Sequence, residues 1–595
     1  MKLSDYIAQF LVEQGIRHAF VLSGGAAVHM IDSIARNPKI DYVCPQHEEQ
    51  EAMSADAYSR ITGNLGVGIT TSGPGGTNLL TGVCCSYFDS IPTLFLTGQV
   101  ARFRLKPTAT MRQMGFQETD MQSIYKSVTK YAVQIQDPSR IRYELEKAVH
   151  IAKEGRPGPV LVDIPDDLQR EEIEPDMLPS YFEEMLHNAV TRIDKTHEIQ
   201  GLLEMITSAK RPVFVYGAGV HISHTEADAR RIADILQIPF LLTWGAMDIW
   251  PHTHPLNAGG VGVCGPRSGN FIVQNADLIV GIGTRFSQMI VGGKAEYFGR
   301  EARKVMIDID PEELGKFTGT GMTIDLPIQS SLQEFLPQLE TLLATYAVLA
   351  RPEWAKYVQG IKTAFPMCVP GDYETKKAVD ANVFIDALSA EAKEGDIVLT
   401  DAGGNLTWTM QGFKVKEGQR LFSAWNHSPM GYSLAGAIGA AFADPTKDVI
   451  AIIGDGGLQM CIEELATVAR YNLPIKLFIF NNQGHGIQKQ TIETWLEGRY
   501  EALDRASGLF FPNFITIAKA YELPSAGIIS HTDINGQIHR ILNTKGPMVI
   551  DVAINPDQRI LPMLTFGRPL EDQGPLLDRK EFLRHMIIDP LREST

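Results

Sequence analysis

The chain has little cysteine: six in 595 residues, at Cys44, Cys84, Cys85, Cys264, Cys368 and Cys461. None forms a CxxC pair or stands at zinc-site spacing from a histidine. That excludes a disulfide framework and a zinc module and fits a reducing cytoplasm. No apolar run approaches about 18 residues, so no membrane-spanning helix is expected. Positive charge is in the minority, with 54 Lys and Arg against 70 Asp and Glu and a net charge of −16. A general affinity for nucleic acid is therefore not expected. Tandem repeats and low-complexity segments are also absent.

What is present is a soluble α/β composition, 44% apolar and rich in glycine, on a chain too long for one core. The opening MKLSDYIAQFLVEQG has helical apolar spacing interrupted by Asp5 and Glu13, and reads as a folded helix rather than a signal peptide. Short apolar runs ending in glycine-rich turns follow in three sets. HAFVLSGG, GVGITTSG, PTLFLTG and GPVLVDIP come first; PVFVYGAG, ADLIVGIGTR and KVMIDIDP second; DIVLTDAGG, DVIAIIGDGG, IKLFIFNNQG and PMVIDVAI third. Such runs alternating with helices predict three doubly wound parallel-sheet α/β domains. We place them at 1–172, 190–345 and 375–560, with linkers near 170–186 and 351–374. A tail, 561–595, is expected to pack as a helix on another surface or close over the site.

One spacing carries chemistry. Gly454-Asp455-Gly456 closes the run VIAII, and after 24 further residues Asn481-Asn482 closes the run KLFIF. Ligands of parallel sheets sit beyond the carboxyl ends of the strands. An Asp455 carboxylate, an Asn482 amide oxygen and the Gly484 carbonyl there make a hard, oxygen-only set suited to Mg²⁺. Gly456 and Gly457 open a helix whose free N–H groups can meet a diphosphate.

With HEEQEAMSADAYSR, TTSGPGGTNLLTGV, GFQETD, VTKY, HPLN, ADLIVGIGTRF and SPMGYSLAGAIGA, this pattern resembles the thiamine diphosphate enzymes. The branch it resembles, from about residue 1 to 565, is that of the acetohydroxyacid (acetolactate) synthases. The resemblance implies a pyrimidine-binding domain, a central domain and a diphosphate-binding domain. It also implies active sites shared between subunits: a homodimer at least, with a homotetramer expected. Glu48 is implied as the carboxylate at the aminopyrimidine ring nitrogen of thiamine diphosphate, promoting the tautomer that deprotonates the thiazolium. Gly25, Pro74 and Asn78 are implied at the pyrimidine end, and Met430 as the wedge that bends the cofactor. Gly404, Asn405, Gly454, Gly456, Gly457, His485, Gly486 and Ile487 are implied around the diphosphate. Phe116, Gln117 and Lys130 match catalytic positions near the reacting carbon. For FAD, the implied contacts are Gly217, Ala218, Gly219, Thr243, Trp244, Arg285, Asp308, Ile309 and Asp325. Met289 and Val263-Cys264 depart from the family pattern there.

The acceptor side also departs. Thr491 stands where the synthases carry a tryptophan, and Ile487 where they carry methionine. The fifteen residues between Val100 and Phe116 exceed the family's usual length and hold Arg102, Arg104, Lys106 and Arg112. A widened pocket beside basic residues is compatible with an acceptor larger and more anionic than pyruvate, for example a nucleotide-linked keto-sugar. The expected reaction is decarboxylation of a 2-oxo acid, pyruvate first, and transfer of its two-carbon unit to an acceptor carbonyl. Plain acetolactate formation, a decarboxylase or C–C hydrolase, and a non-catalytic regulator are the other readings.

Overall fold

The computed structural model describes residues 1–185, 193–347, 349–374 and 378–594. The apolar runs form three six-stranded sheets, parallel at every pairing. The first contains β1 (His18–Val21), β2 (Asp41–Val43), β3 (Gly66–Thr70), β4 (Thr93–Gln99), β5 (Tyr131–Gln134) and β6 (Val160–Pro165). The second contains β7 (Pro212–Tyr216), β8 (Phe240–Leu242), β9 (Asn257–Gly260), β10 (Leu278–Ile282), β11 (Arg303–Asp308) and β12 (Leu326–Gln329). The third contains β13 (Ile397–Thr400), β14 (Arg420–Phe422), β15 (Val449–Gly454), β16 (Ile475–Asn481), β17 (Ser525–Ile528) and β18 (Met548–Ala553). Helices cover both faces of the inner strands, so β3, β4 and β6 are buried at every residue. The expected fold class holds. The expected domain starts at 190 and 375 lie outside the described residues.

Strand order locates the sites. The first sheet runs β2-β1-β3-β4-β6-β5 and the third β14-β13-β15-β16-β18-β17, the same winding pattern on unlike sequences. Their order reverses between β1 and β3 and between β13 and β15; in the second sheet, β12-β11-β10-β7-β8-β9, it reverses between β7 and β10. At a reversal the two loops leave in opposite directions and open a crevice. The loops bordering the three crevices carry Gly25 and Pro74, Gly404 and Asp455, and Gly217 and Arg285.

The outer domains meet through helix Glu48–Thr62 against helix Tyr432–Ala443. A Cβ at Gly439 would stand 2.0 Å from the Ser54 carbonyl oxygen, so only glycine permits this approach. Ser54 Oγ donates to Ala435 O at 2.8 Å. Arg60 bridges Asp56 and Asp89 at 2.7 Å each, and Tyr432 donates to Asp56 at 2.5 Å. Asp89 also accepts the Trp425 and Asn426 N–H groups, so each buried charge has partners.

The segment expected as a second linker is instead structured. Helix Pro352–Ala364 lies on the central domain, with Trp354 Nε1 donating to Pro212 O at 2.8 Å. The tail docks on that domain too: Arg300 and Gln274 hold Glu571, and Arg267 reaches the Gln573 carbonyl. Its first residues also reach the third domain, where Gln411 Nε2 donates to Pro562 O at 2.8 Å. Its apolar residues Leu570 and Phe582 find a core in the central domain; near the acceptor side, Phe566 packs on Trp495 and Met563 Sδ accepts from Gln490 Nε2 at 3.7 Å. Among the described residues, no helix is long and apolar enough to cross a membrane.

Candidate active site

Helix Glu48–Thr62 starts where extended His47 accepts the Glu49 N–H on its ring at 3.1 Å, with Glu48, Glu49 and Glu51 in the first turn facing the positive end of the helix dipole. Glu48 is 7% exposed, and its Oε2 accepts from Asn78 Nδ2 at 2.9 Å. Asn78 ends the short helix that Pro74 begins. Thr70 Oγ1, buried without a partner, borders the same space: a Cβ at Gly75 would be 2.8 Å from it and 3.6 Å from Glu48 Oε1. A Cβ at Gly25 would meet nothing within 4 Å. An orphan hydroxyl beside a carboxylate and open space fits a bound heterocycle bearing donors and acceptors. Gln117, at φ +63°, packs on the Gly73 turn, whereas Phe116 is 84% exposed.

At the third sheet, parallel pairing sets Gly454 beside Phe480, which brings Asp455 and Asn482 together. Asp455 is 2% exposed and accepts from Gly456 N at 2.7 Å and Gly484 N at 3.2 Å. The Asn482 amide faces Gly484 O and Asp455 Oδ2 across 2.6 and 3.3 Å, so it can donate its NH₂ to both or, turned, join its oxygen to theirs around a cation. Among the described residues, no three His, Cys, Asp or Glu cluster for a metal, so a cation here would rely on amide and carbonyl oxygens. The turns fit Mg²⁺ on that ground.

The surrounding turns are stiff. Asn405 spends its oxygen on Thr400 Oγ1 and Asp401 N and one N–H on Ala402 O, so it shapes the turn and keeps one N–H free for a ligand. Gly404 begins helix Gly404–Gly412. Asp401, fully buried and pushed up to about 7 by that burial, accepts the Gly431 and Ser433 N–H groups and so fixes half-buried Met430. His485 precedes Gly486 at the start of helix Gly486–Trp495, and burial lowers its pKa, keeping the ring neutral. Its Nε2 lies 2.6 Å from where a Gly456 Cβ would be. Gly457 packs more closely still on Asp401, with 2.1 Å from such a Cβ to Asp401 Oδ2.

The central crevice opens into a cleft with about 1430 Å³ of empty space, counting its open mouth. Gly217, Ala218, Gly219, Thr243, Trp244, Arg285, Asp308 and Ile309 line it together, with Met289 and Cys264 beside them. Gly217 and Gly219 press on the Gly283 backbone, where no side chain fits. Arg285 is tethered to Asn426 Oδ1 at 2.7 Å. Asp325 is not part of the lining. It is exposed at the start of β12, and its carboxylate accepts the Lys304 N–H at 2.7 Å.

Three family models match in order: the N-terminal TPP binding domain of thiamine pyrophosphate enzymes over 1–124, the central domain over 199–339 and the C-terminal TPP binding domain over 401–552. The chain is 31% identical to the acetolactate synthase large subunit of Cyanidium caldarium, covering 94% of each chain. It is 31% identical to the acetolactate synthase isozyme 1 large subunit of Escherichia coli, over 95% of this chain and 96% of that one. For acetolactate synthase 1 of Zea mays the identity is 30%, over 96% and 88%. The chain belongs to the thiamine pyrophosphate enzymes, in the acetolactate synthase branch.

Within this acetolactate synthase-like chain, some matched residues lie apart. Lys130 precedes β5, at the amino ends of the strands and opposite Glu48. Its Nζ donates to Glu154 O at 2.5 Å, beside the Gly155–Pro157 wall of the central cleft, and burial lowers its pKa. It does not share a crevice with Glu48. Thr491 and Ile487 are exposed on helix Gly486–Trp495, which buries none of its ten residues within the chain.

In the basic segment, one of the four cations is already committed to acids of the same domain. Arg102 is held by Asp167 at 2.8 Å, Glu171 at 2.5 Å and the Gln136 carbonyl. Arg104 lies over Phe103, and Arg112 is exposed. The segment is closed on buried Glu118, whose carboxylate accepts from Lys106 N, Met114 N and Gly115 N and is lowered in pKa by those bonds. The expectation of a nucleotide-linked keto-sugar acceptor thus loses Arg102 as an anion contact, and the relatives named above are all acetolactate synthases. Glu51, Asp401 and Glu118 are the residues the sequence reading passed over.

Proposed function

We propose that this enzyme condenses two 2-oxo acids, with pyruvate as donor and a second pyruvate or a close homologue as acceptor, releasing carbon dioxide and acetolactate or its analogue. The observation that supports it most is Glu48, buried and held by Asn78, paired with an oxygen-lined turn at Asp455 in a chain matching acetolactate synthases along nearly its whole length. Thiamine pyrophosphate, when bound, supplies the nucleophilic carbon that decarboxylation of a 2-oxo acid requires.

The chain's own residues then have separable tasks. Glu48 holds and moves a proton at the aminopyrimidine ring, with Asn78 fixing one of its oxygens so the other faces the crevice. Asp455, Asn482 and Gly484 hold Mg²⁺, and the N–H groups opened by Gly456 and Gly457 meet the diphosphate. Met430 braces the cofactor from the turn that Asp401 anchors. The central cleft holds FAD. Gln117 and exposed Phe116 face a substrate completed by a second copy. A dimer is proposed as the smallest active unit, with a homotetramer as the fuller assembly.

The test is product identification by NMR from ¹³C-labelled pyruvate with thiamine pyrophosphate and Mg²⁺. Acetolactate at one molecule per carbon dioxide is the expected result. Acetaldehyde, or carbon dioxide without a coupled product, would favour a decarboxylase or a different acceptor instead.

A further inference from the structure

Glu51 lies one helical turn beyond Glu48 and is fully buried, and neither of its carboxyl oxygens has a hydrogen-bond partner. An unpaired buried carboxylate is expensive, so such a position normally carries an apolar residue. Residues three apart share a helix face, so the side chain enters the same wall as Glu48. Gly68, inside β3, makes room for it: a Cβ there would stand 2.9 Å from Glu51 Oε1. Glycine within a strand forfeits packing, and here it is the residue that admits the carboxyl.

We infer that Glu51 is a second acid of the cofactor site, a proton-bearing carboxyl behind Glu48 that holds the pair at a single negative charge. It is a positioning residue: it acts through Glu48 and does not itself touch the cofactor. This role rests on the reading of Glu48 as the carboxylate at the aminopyrimidine ring.

The groups facing Glu51 support that charge state. Glu48 on its own helix opposes its ionisation. The Leu22 and Ile69 amides from β1 and β3 lie near without completing a bond, and Leu22 N–H is already given to Ile69 O. Cys44 after β2 and Tyr125 feel its charge, and no cation is among these neighbours. Burial and Glu48 together raise its pKa well above that of an ordinary glutamate. While Glu51 keeps its proton, Glu48 alone carries the negative charge and exchanges a proton with the ring. Once Glu51 ionises, a second charge in the same low-dielectric wall tightens Glu48's hold on its proton and slows that exchange.

Two readouts test this. In the apoenzyme with ¹³C-labelled glutamate, an infrared pH titration should show a protonated-acid band that persists above the ordinary glutamate range, beside that of buried Glu464 near 7, and is missing in Glu51→Gln. In the holoenzyme, hydrogen–deuterium exchange at the cofactor's C2 should fall at alkaline pH in the wild type and stay flat in Glu51→Gln, with thiamine pyrophosphate affinity changed less than about threefold. If Glu51→Gln does not fold, a wild-type band beyond those of Glu49 and Glu464 still decides. No such band, or superimposable exchange profiles, would overturn the role of Glu51 alone. Failure of the wild type to bind thiamine pyrophosphate with Mg²⁺ would overturn the functional reading, and this role with it.

Discussion

Replacing Gly439 with alanine sets two effects of opposite sign against each other. Inside a helix the change alone stabilises by about 1 kcal/mol. Here, however, the added methyl would stand 2.0 Å from the Ser54 carbonyl oxygen and 2.8 Å from its carbon, both backbone atoms that cannot rotate away. The helices must separate by more than about 1 Å to restore contact distance, and overpacking of this kind costs about 1–3 kcal/mol or more. Separation also pulls on the Ser54–Ala435 bond and the buried Tyr432–Asp56 bond, for about another 1–3 kcal/mol. The net expectation is a loss of about 1–5 kcal/mol in urea unfolding. Thiamine pyrophosphate affinity should fall as well, because Glu48 begins one of these helices and Met430 closely precedes the other. Gly360→Ala is the control: its helix is exposed at that point, nothing lies within 4 Å, and it should gain up to about 1 kcal/mol. A Gly439→Ala protein as stable as the wild type would refute the reasoning.

Other outcomes follow from single sites. Glu48→Gln should lower acetolactate formation by about 10²–10⁴-fold in steady-state assays while leaving cofactor binding measurable. Glu118→Ala should free the Lys106, Met114 and Gly115 amides, and limited proteolysis should then cut within 106–115, where the wild type resists. His221, between Glu226 and Asp248 at 2.7 Å each and facing Arg420 across Asp248, has a pKa raised mainly by Asp248 against the opposing effect of burial. Its stabilisation is fully present below about pH 6.5 and disappears as pH rises through the raised value, so the melting-temperature gap between wild type and His221→Gln should shrink with rising pH. Thr491→Trp should raise selectivity among 2-oxo acid acceptors by up to about 10-fold in competition assays; an unchanged ratio would remove Thr491 from the acceptor wall.

Local chemistry was legible in the sequence, and long-range pairing was not. Apolar runs closed by glycine-rich turns revealed the strands, because strand length and turn composition are written within about ten residues. The order of those strands was hidden, and with it the repeated winding of the first and third sheets, since pairing joins segments far apart in the chain. The same limit explains the basic segment: Arg102 looked free because Asp167 and Glu171 lie more than sixty positions away. Lys130 matched by position, but which end of a strand it occupies depends on where the chain enters the sheet. Asp325 failed similarly, as its partner Lys304 sits on the neighbouring strand. Glu51 was passed over within HEEQEAMS because a run of acids at a helix start reads as solvated charge; only burial and the gap at Gly68 set it apart.

The central claim is that one cofactor is held by Glu48 of one copy and by the Asp455–Asn482 turns of another. Acetolactate formation from pyruvate by Glu48→Gln, by Asn482→Ala and by an unfolded and refolded mixture of the two measures this directly. Each variant alone should be nearly inactive, and the mixture should regain about a quarter of wild-type activity, because half the dimers are then mixed and each has one intact site. A mixture no more active than its components would contradict the account.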